Sequence, residues 1–410
     1  MAENPAVALF LALGVIIAAS RIGGALARML GQPRVLGELI VGVLLGPTVL
    51  DLLHAPILHG VDLNETIRYL AELGVLVLMF IVGLEVNIKE LAKVGRVAGI
   101  AGVVGALAPV LLGLPLVMLF GYSWQPALFA GVTLAATSVS ISAQVLLELG
   151  LLRTKVGSAL LATALIDDIL AILLVSLVVA LTAGAGAASV DPGHLLGIIV
   201  RMALYIGGAA LVAWFVLPRL INALDDIPSV AQSYGISAVA LLLLLLFAWS
   251  AEEWGGVAAI TGAFIAGVGF SRAKEDVKHK IETTVTSIAY AFLVPIFFVH
   301  VGLETNLRSF PLSALPLALL LLAAALVSKV GGCGLGARLG GFSSRESLQL
   351  GVCMISRGEV GLIIASLGIT AGVFQNDQPL FAALFLVILL TTVVTPLLVR
   401  QVFPVLKETA

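Results

Sequence analysis

The sequence predicts an all-α polytopic membrane protein with 13 transmembrane helices, arranged as two inverted six-helix repeats with crossed discontinuous helices. Three observations carry that prediction. Of 410 residues, 60% are hydrophobic and only 11% charged, with a mean hydropathy of +1.15; this is too little polar surface to cover a soluble fold of such length. Lysine and arginine concentrate in alternate loops, and short motifs recur about half a chain apart. The formal net charge of −2 gives no reason to expect a nucleic-acid partner.

A spanning helix needs about 20 mostly apolar residues, and polar breaks and Gly/Pro clusters cut the chain into such lengths. The first span, 5–28, starts acidic and carries Arg21, as a spanning helix does and a basic signal peptide does not. It is followed by 34–53, 66–86, 96–120, 125–149, 156–184 and 194–221. The later spans are 231–250, 255–271, 281–303, 312–338, 345–373 and 379–403. Cys333 and Cys353 fall in apolar helical stretches and read as buried free thiols, not as a disulfide or metal site.

Loop charge tests this division independently. Arg28 and Arg34, then Lys89, Lys93 and Arg96, then Arg153 and Lys155, then Arg219, lie in alternate loops. The series continues with Arg272, Lys274, Lys278 and Lys280, with Arg338 and Arg345, and with Arg400 and Lys407, whereas the intervening loops hold little beyond Arg68 and Arg308. The positive-inside rule therefore puts the N-terminus outside and the C-terminus in the cytoplasm, which an odd number of spans also requires.

The repeat is visible in VGLExN: Val82, Gly83, Leu84, Glu85 and Asn87 close the third span, and Val301, Gly302, Leu303, Glu304 and Asn306 close the tenth, 219 residues later. Gly37, Ile40, Gly42 and Val43 of the second span match Gly262, Ile265, Gly267 and Val268 of the ninth at an offset of 225. Both pairs are seven spans apart, an odd number, so matching helices cross in opposite directions and the seventh span joins two inverted halves.

Substrates of inverted-repeat transporters bind where helices are broken near the midplane. Two spans look breakable: the fifth, with Thr137, Ser138, Ser140 and Ser142, and the twelfth, with Ser356, Arg357, Gly358 and Glu359, related by an offset of 218 from Ser138 to Ser356. Carbonyls exposed at such breaks coordinate cations, and the opposed helix dipoles need charged partners. Asp167 and Asp168 sit in the apolar sixth span, where a charged aspartate costs about 2.5–3.5 kcal/mol on insertion scales. Neighbours on a helix point about 100° apart, so one carboxylate can face a helix while the other faces an aqueous cavity. The cationic partner is Lys329, isolated among Ala, Leu, Val and Gly in the eleventh span. Competition between a Lys329–Asp167 pair and a bound cation supplies a route to proton release. A second acidic pair, Asp225 and Asp226, lies beside Pro228 and reads as solvated.

These motifs bring a resemblance with them. QPRVLGELIVGVLLGP at 32–47, LAELGVLVLMFIVGLE at 70–85, ATSVSISAQVLLELG at 136–150, IDD at 166–168, FLVPIFFVHVGL at 292–303, SKVGG at 328–332 and SRGEVGLI at 356–363 belong to a similarity that runs along essentially all 410 residues. The sequence resembles the cation:proton antiporter-2 family, closest to NapA-like bacterial sodium/proton antiporters. The resemblance implies that Asp168 is the principal ion-binding carboxylate, Asp167 the partner of Lys329, and Thr137 and Ser138 part of the broken-helix ion site. Arg357 and Glu359 match a supporting charged pair of the second broken helix.

It further implies a bacterial inner-membrane homodimer working by an elevator-like movement. Dimerisation segments fall at 1–92 and 226–311, ion-transport core segments at 93–186 and 312–410, and a linker at 187–225. Within that resemblance the Asp-Asp pair implies electrogenic Na⁺/H⁺ exchange, with K⁺/H⁺ exchange or a passive cation channel as alternatives. Li⁺ also fits the site chemistry, and no cofactor is expected. His300 reads as a packed, hydrogen-bonded side chain before it reads as a pH sensor. An intramembrane aspartyl protease needs its two aspartates on different helices, and no P-loop motif for ATP drive occurs. The expectation is a transporter and not an enzyme.

Overall fold

A computed structural model describes residues 5–403 apart from 56, 57, 59–61, 87, 183–191, 229–233, 305, 309, 359, 362, 363, 366, 367, 369–372 and 374–377. Described residues are almost entirely helical, with no strand among them. In chain order the helices are α1 (Pro5–Met29), α2 (Arg34–Leu45), α3 (Asn64–Glu85), α4 (Ile88–Lys93), α5 (Gly95–Leu119) and α6 (Trp124–Ala135). Then come α7 (Val139–Glu148), α8 (Lys155–Thr182), α9 (Pro192–Phe215), α10 (Leu217–Asp225), α11 (Gly235–Ser250) and α12 (Ala259–Phe270). The last are α13 (Glu275–Ile288), α14 (Val294–Leu303), α15 (Leu315–Gly340), α16 (Ser344–Cys353) and α17 (Gln378–Val402).

Among the described residues, 10 helical stretches are long and apolar enough to cross a membrane. The spans expected at 34–53, 255–271 and 345–373 are represented by α2 and α12, of 12 residues each, and α16, of 10. At 1.5 Å per residue none of these helices alone covers a hydrocarbon core of about 30 Å. Local chemistry stops them. Helix α2 ends at Gly46 before Pro47, α12 starts after Gly256, whose φ is +64°, and α16 gives way to non-helical backbone at 355–358.

The chain divides into two compact units, Met1–Ile88 with Val200–Thr305, and Lys89–Ile199 with Asn306–Ala410. In the first unit α2 packs on α1 and α14, and α3 packs on α12 and α14. The closest approaches are made by glycine. A Cβ at Gly42 would collide with the carbonyl of Val299, and one at Gly267 would collide with the carbonyl of Phe80. Gly42 and Gly267 are one motif pair, and Phe80 and Val299 stand at the 219-residue offset of the other. The α2–α14 and α3–α12 contacts thus each press a motif glycine onto a backbone carbonyl.

Two wide π turns interrupt this unit, at Ala251–Gly255 and Ala289–Leu293. A π turn frees backbone carbonyls, and arginines take them up. Arg201 donates to the carbonyls of Trp254 and Glu253 at 2.7 and 2.6 Å, and Arg21 donates to that of Tyr290 at 2.6 Å. Of the acidic pair read as solvated, Asp226 is exposed as expected and meets Lys274 at the surface at 3.2 Å, whereas Asp225 is largely covered and takes Lys280 at 2.7 Å. Sequence proximity to Pro228 did not reveal that α13 lies alongside. His300 pairs with Glu304, one turn further along α14, at 3.3 Å.

In the second unit α5 packs along α15 and against α6 and α8, while α16 and α17 pack on α15. At the start of α16 a capping box joins Ser343 and Glu346, and Lys155 at the start of α8 reaches Glu346 at 2.9 Å. That contact links the helix carrying the paired aspartates to the second interrupted helix.

Candidate functional site

The site is built where two helices stop inside the second unit. Helix α6 ends at Ala135, residues 136–138 are non-helical, and α7 restarts at Val139. On the other side α16 ends at Cys353 and residues 355–358 run without helical structure. The interruptions expected at Thr137–Ser138 and at Ser356–Gly358 are both present. Glu359 lies outside the described residues.

These two breaks meet. The backbone N–H of Ser138 donates to the carbonyl of Ser356 at 2.8 Å, so residues matched at the 218-residue offset bond to each other. Ser142 Oγ donates to the carbonyl of Cys353 at 2.6 Å. Gly358 is required by this crossing, since a Cβ there would stand 2.9 Å from both Cβ and Oγ of Ser138.

Half-helix C-termini leave carbonyls without intrahelical donors and carry partial negative charge. Arg357, fully buried, answers both needs. Its guanidinium donates to the carbonyl of Leu134, at the end of α6, from Nε at 2.9 Å and from Nη2 at 2.6 Å. Nη1 donates to the carbonyl of Ile355 at 2.8 Å, and Nη2 approaches that of Ala325 on α15 at 3.4 Å. Only the planar five-donor fork of arginine serves carbonyls from three segments at once. Thr392 of α17 in turn donates to the carbonyl of Arg357. Sequence reading passed over Thr392, although Thr391, Thr392 and Thr395 form a hydroxyl cluster in the last span that marks a polar helix face.

Helices α8 and α15 bring the acidic and basic groups together. Lys329 Nζ lies 2.8 Å from Asp167 Oδ1, and both side chains are essentially inaccessible. The second carboxylate oxygen, Asp167 Oδ2, has no hydrogen-bond partner among the described residues. Asp168 is partly exposed on the same helix, as the angular offset of neighbours predicts. The thiol of Cys333 lies within electrostatic reach of Lys329, Asp167 and Arg357, and Arg357 within reach of Asp167. Cys333 and Cys353 are free and buried. Thr137 Oγ1 and Ser356 Oγ are buried oxygens without a hydrogen-bond partner among the described residues. His300 belongs to the first unit.

A buried ion pair beside a partly exposed carboxylate, at a crossing of interrupted helices, gathers groups that can exchange protons and oxygens that can ligate small cations. The profile of the family described as "Sodium/hydrogen exchanger, transmembrane" matches residues 14–404. The chain belongs to the sodium/hydrogen exchanger family. Among the relatives of this exchanger-family chain is the Na⁺/H⁺-K⁺ antiporter GerN of Bacillus cereus, 34% identical over 395 residues, 96% of each chain. The Na⁺/H⁺ antiporter of Enterococcus hirae is 34% identical over 390 residues, covering 95% of this chain and 96% of its own. The fold is similar to that of the sodium proton antiporter MjNhaP1 of Methanocaldococcus jannaschii at pH 8. That match has a TM-score of 0.67 at 20% identity and covers 98% of this chain and 99% of the other.

Proposed function

We propose that the protein is a secondary-active antiporter that exchanges Na⁺ for protons electrogenically across a bacterial inner membrane. The observation that carries this reading is the fully buried Lys329–Asp167 ion pair at 2.8 Å, one residue from the partly exposed Asp168. Asp168 takes either a proton or the cation, and oxygens of Asp167, Thr137 and Ser138 replace hydration water around the bound ion. A cation drawing on Asp167 weakens its hold on Lys329, whose proton then leaves with that of Asp168. Two protons against one Na⁺ move net charge. K⁺ is the second reading, because the relative GerN is named for K⁺ as well as Na⁺.

The membrane frame of the proposal has 13 crossings in two inverted repeats, with the N-terminus outside and the C-terminus cytoplasmic. It is supported by the doubled glycine contacts, Gly42 on Val299 and Gly267 on Phe80, and by the bond between the matched serines 138 and 356. Each compact unit draws on both halves of the chain. In this reading the first unit forms a homodimer and the second carries the ion in elevator fashion, with Arg357 and Glu359 supporting the second break. Purified protein in liposomes tests the exchange itself: an imposed Na⁺ gradient drives proton flux, faster when a potassium ionophore dissipates the membrane potential. Proton flux indifferent to Na⁺, Li⁺ and K⁺ would overturn the proposal.

A further inference from the structure

We infer that Ser356 supplies a hydroxyl ligand to the transported monovalent cation, so that the ion is held from both interruptions and not from the first alone. This rests on the antiport reading and adds a residue to its site. Ser356 has no exposed surface, and its Oγ has no hydrogen-bond partner among the described residues. Buried hydroxyls are nearly always partnered, because an unpaired polar group in a dry interior is costly. Two other oxygens in the same condition are Thr137 Oγ1, on a residue only 4% exposed, and Asp167 Oδ2.

Hydrogen bonds tie these residues to one joint. Ser356 is bonded through its carbonyl to the N–H of Ser138, next to Thr137. The adjacent Arg357 reaches Ala325, one turn of α15 before Lys329, at 3.4 Å, and Lys329 holds Asp167. The matched serine behaves differently, since Ser138 Oγ lies 3.0 Å from Ser140 Oγ. Hard monovalent cations are bound by sets of oxygens. A neutral hydroxyl can join such a set without changing how many protons the carboxylates and the lysine exchange.

The test measures Na⁺-driven proton flux in liposomes for the wild type, Ser356→Ala, Ser356→Thr and Ser347→Ala. Ser347 lies on α16, the helix that leads into the break holding Ser356, and its Oγ is likewise buried without a partner among the described residues, but it is nine positions away. Ser356→Ala is expected to raise the KM for Na⁺ about fivefold or more, the scale of one lost polar contact, with the maximal rate within about twofold of wild type. Ser356→Thr, which keeps the hydroxyl, and Ser347→Ala are expected to retain the wild-type KM. An unchanged KM in Ser356→Ala, or an equal rise in Ser347→Ala, overturns the inference while leaving the antiport reading intact. If Ser356→Ala does not fold, Ser356→Cys decides by the ratio of KM values for Na⁺ and Li⁺ within one sample: a ratio identical to wild type overturns the inference. A wild type without cation-driven flux overturns the antiport reading itself.

Discussion

Lys329 Nζ and Asp167 Oδ1 are 2.8 Å apart, with 0% and 1% of their side-chain surfaces exposed. At that depth neither charge is separable from the other. Removing one partner of a buried pair leaves an uncompensated charge, at a cost of about 3–5 kcal/mol, whereas replacing both by neutral groups costs far less. Lys329→Gln and Asp167→Asn are each therefore expected to lower the unfolding temperature in detergent sharply, and the double variant carrying both to recover most of the loss. Additive losses in that cycle would mean that the two residues are not coupled.

The two neighbouring aspartates are expected to separate by function. Asp168→Asn abolishes cation-driven proton flux while the protein stays folded, because the exchange carboxylate is gone. Asp167→Asn retains exchange but loses charge movement, because Lys329 no longer has a carboxylate to compete for. Flux in Asp167→Asn liposomes should then be insensitive to a clamp on the membrane potential. Potential-dependent flux in that variant would remove Lys329 from the proton count.

Arg357 is expected to be sensitive to shape as well as charge. Arg357→Met leaves the carbonyls of Leu134 and Ile355 without donors, at about 1–3 kcal/mol for each buried group. Arg357→Lys keeps the charge but cannot reach both carbonyls in a plane, so its stability should fall between Met and wild type. Thermal unfolding of the purified variants checks the order. A lysine variant as stable as wild type would show that only the charge matters.

The doubled contact in the first unit predicts matched responses. Gly42→Ala and Gly267→Ala each force a methyl into a backbone carbonyl and should each cost about 1–3 kcal/mol, the range for overpacking. Gly14→Ala on α1 meets nothing within 4 Å and is expected to be neutral or stabilising by up to about 1 kcal/mol, since alanine is the better helix former. The comparison is read in unfolding temperatures of all three variants.

Much of the site was legible in one dimension because hydrocarbon makes ionisable residues conspicuous. Asp167, Asp168, Lys329 and Arg357 stand out in apolar runs, and the pairing of Asp167 with Lys329 follows from needing a counter-charge. Polar runs at 137–142 and 356–359 marked the helix breaks for the same reason. The ion pairs of Asp225 and Asp226 were not legible, because their lysines come from α13 and the residue just before it, about 50 positions later in the chain.

The sequence by itself determined the membrane class, the helical fold, the paired motifs and which charged side chains need partners. These depend on composition, period and spacing, all properties of the linear chain. Only the tertiary structure decided who those partners are. It gave Arg357 to the carbonyls of Leu134 and Ile355, set Ser138 against Ser356, and pressed Gly42 onto Val299. Backbone carbonyls and N–H groups are the same at every residue and leave no mark in a sequence. Where a bond is made to the main chain, only the meeting of distant segments can specify it.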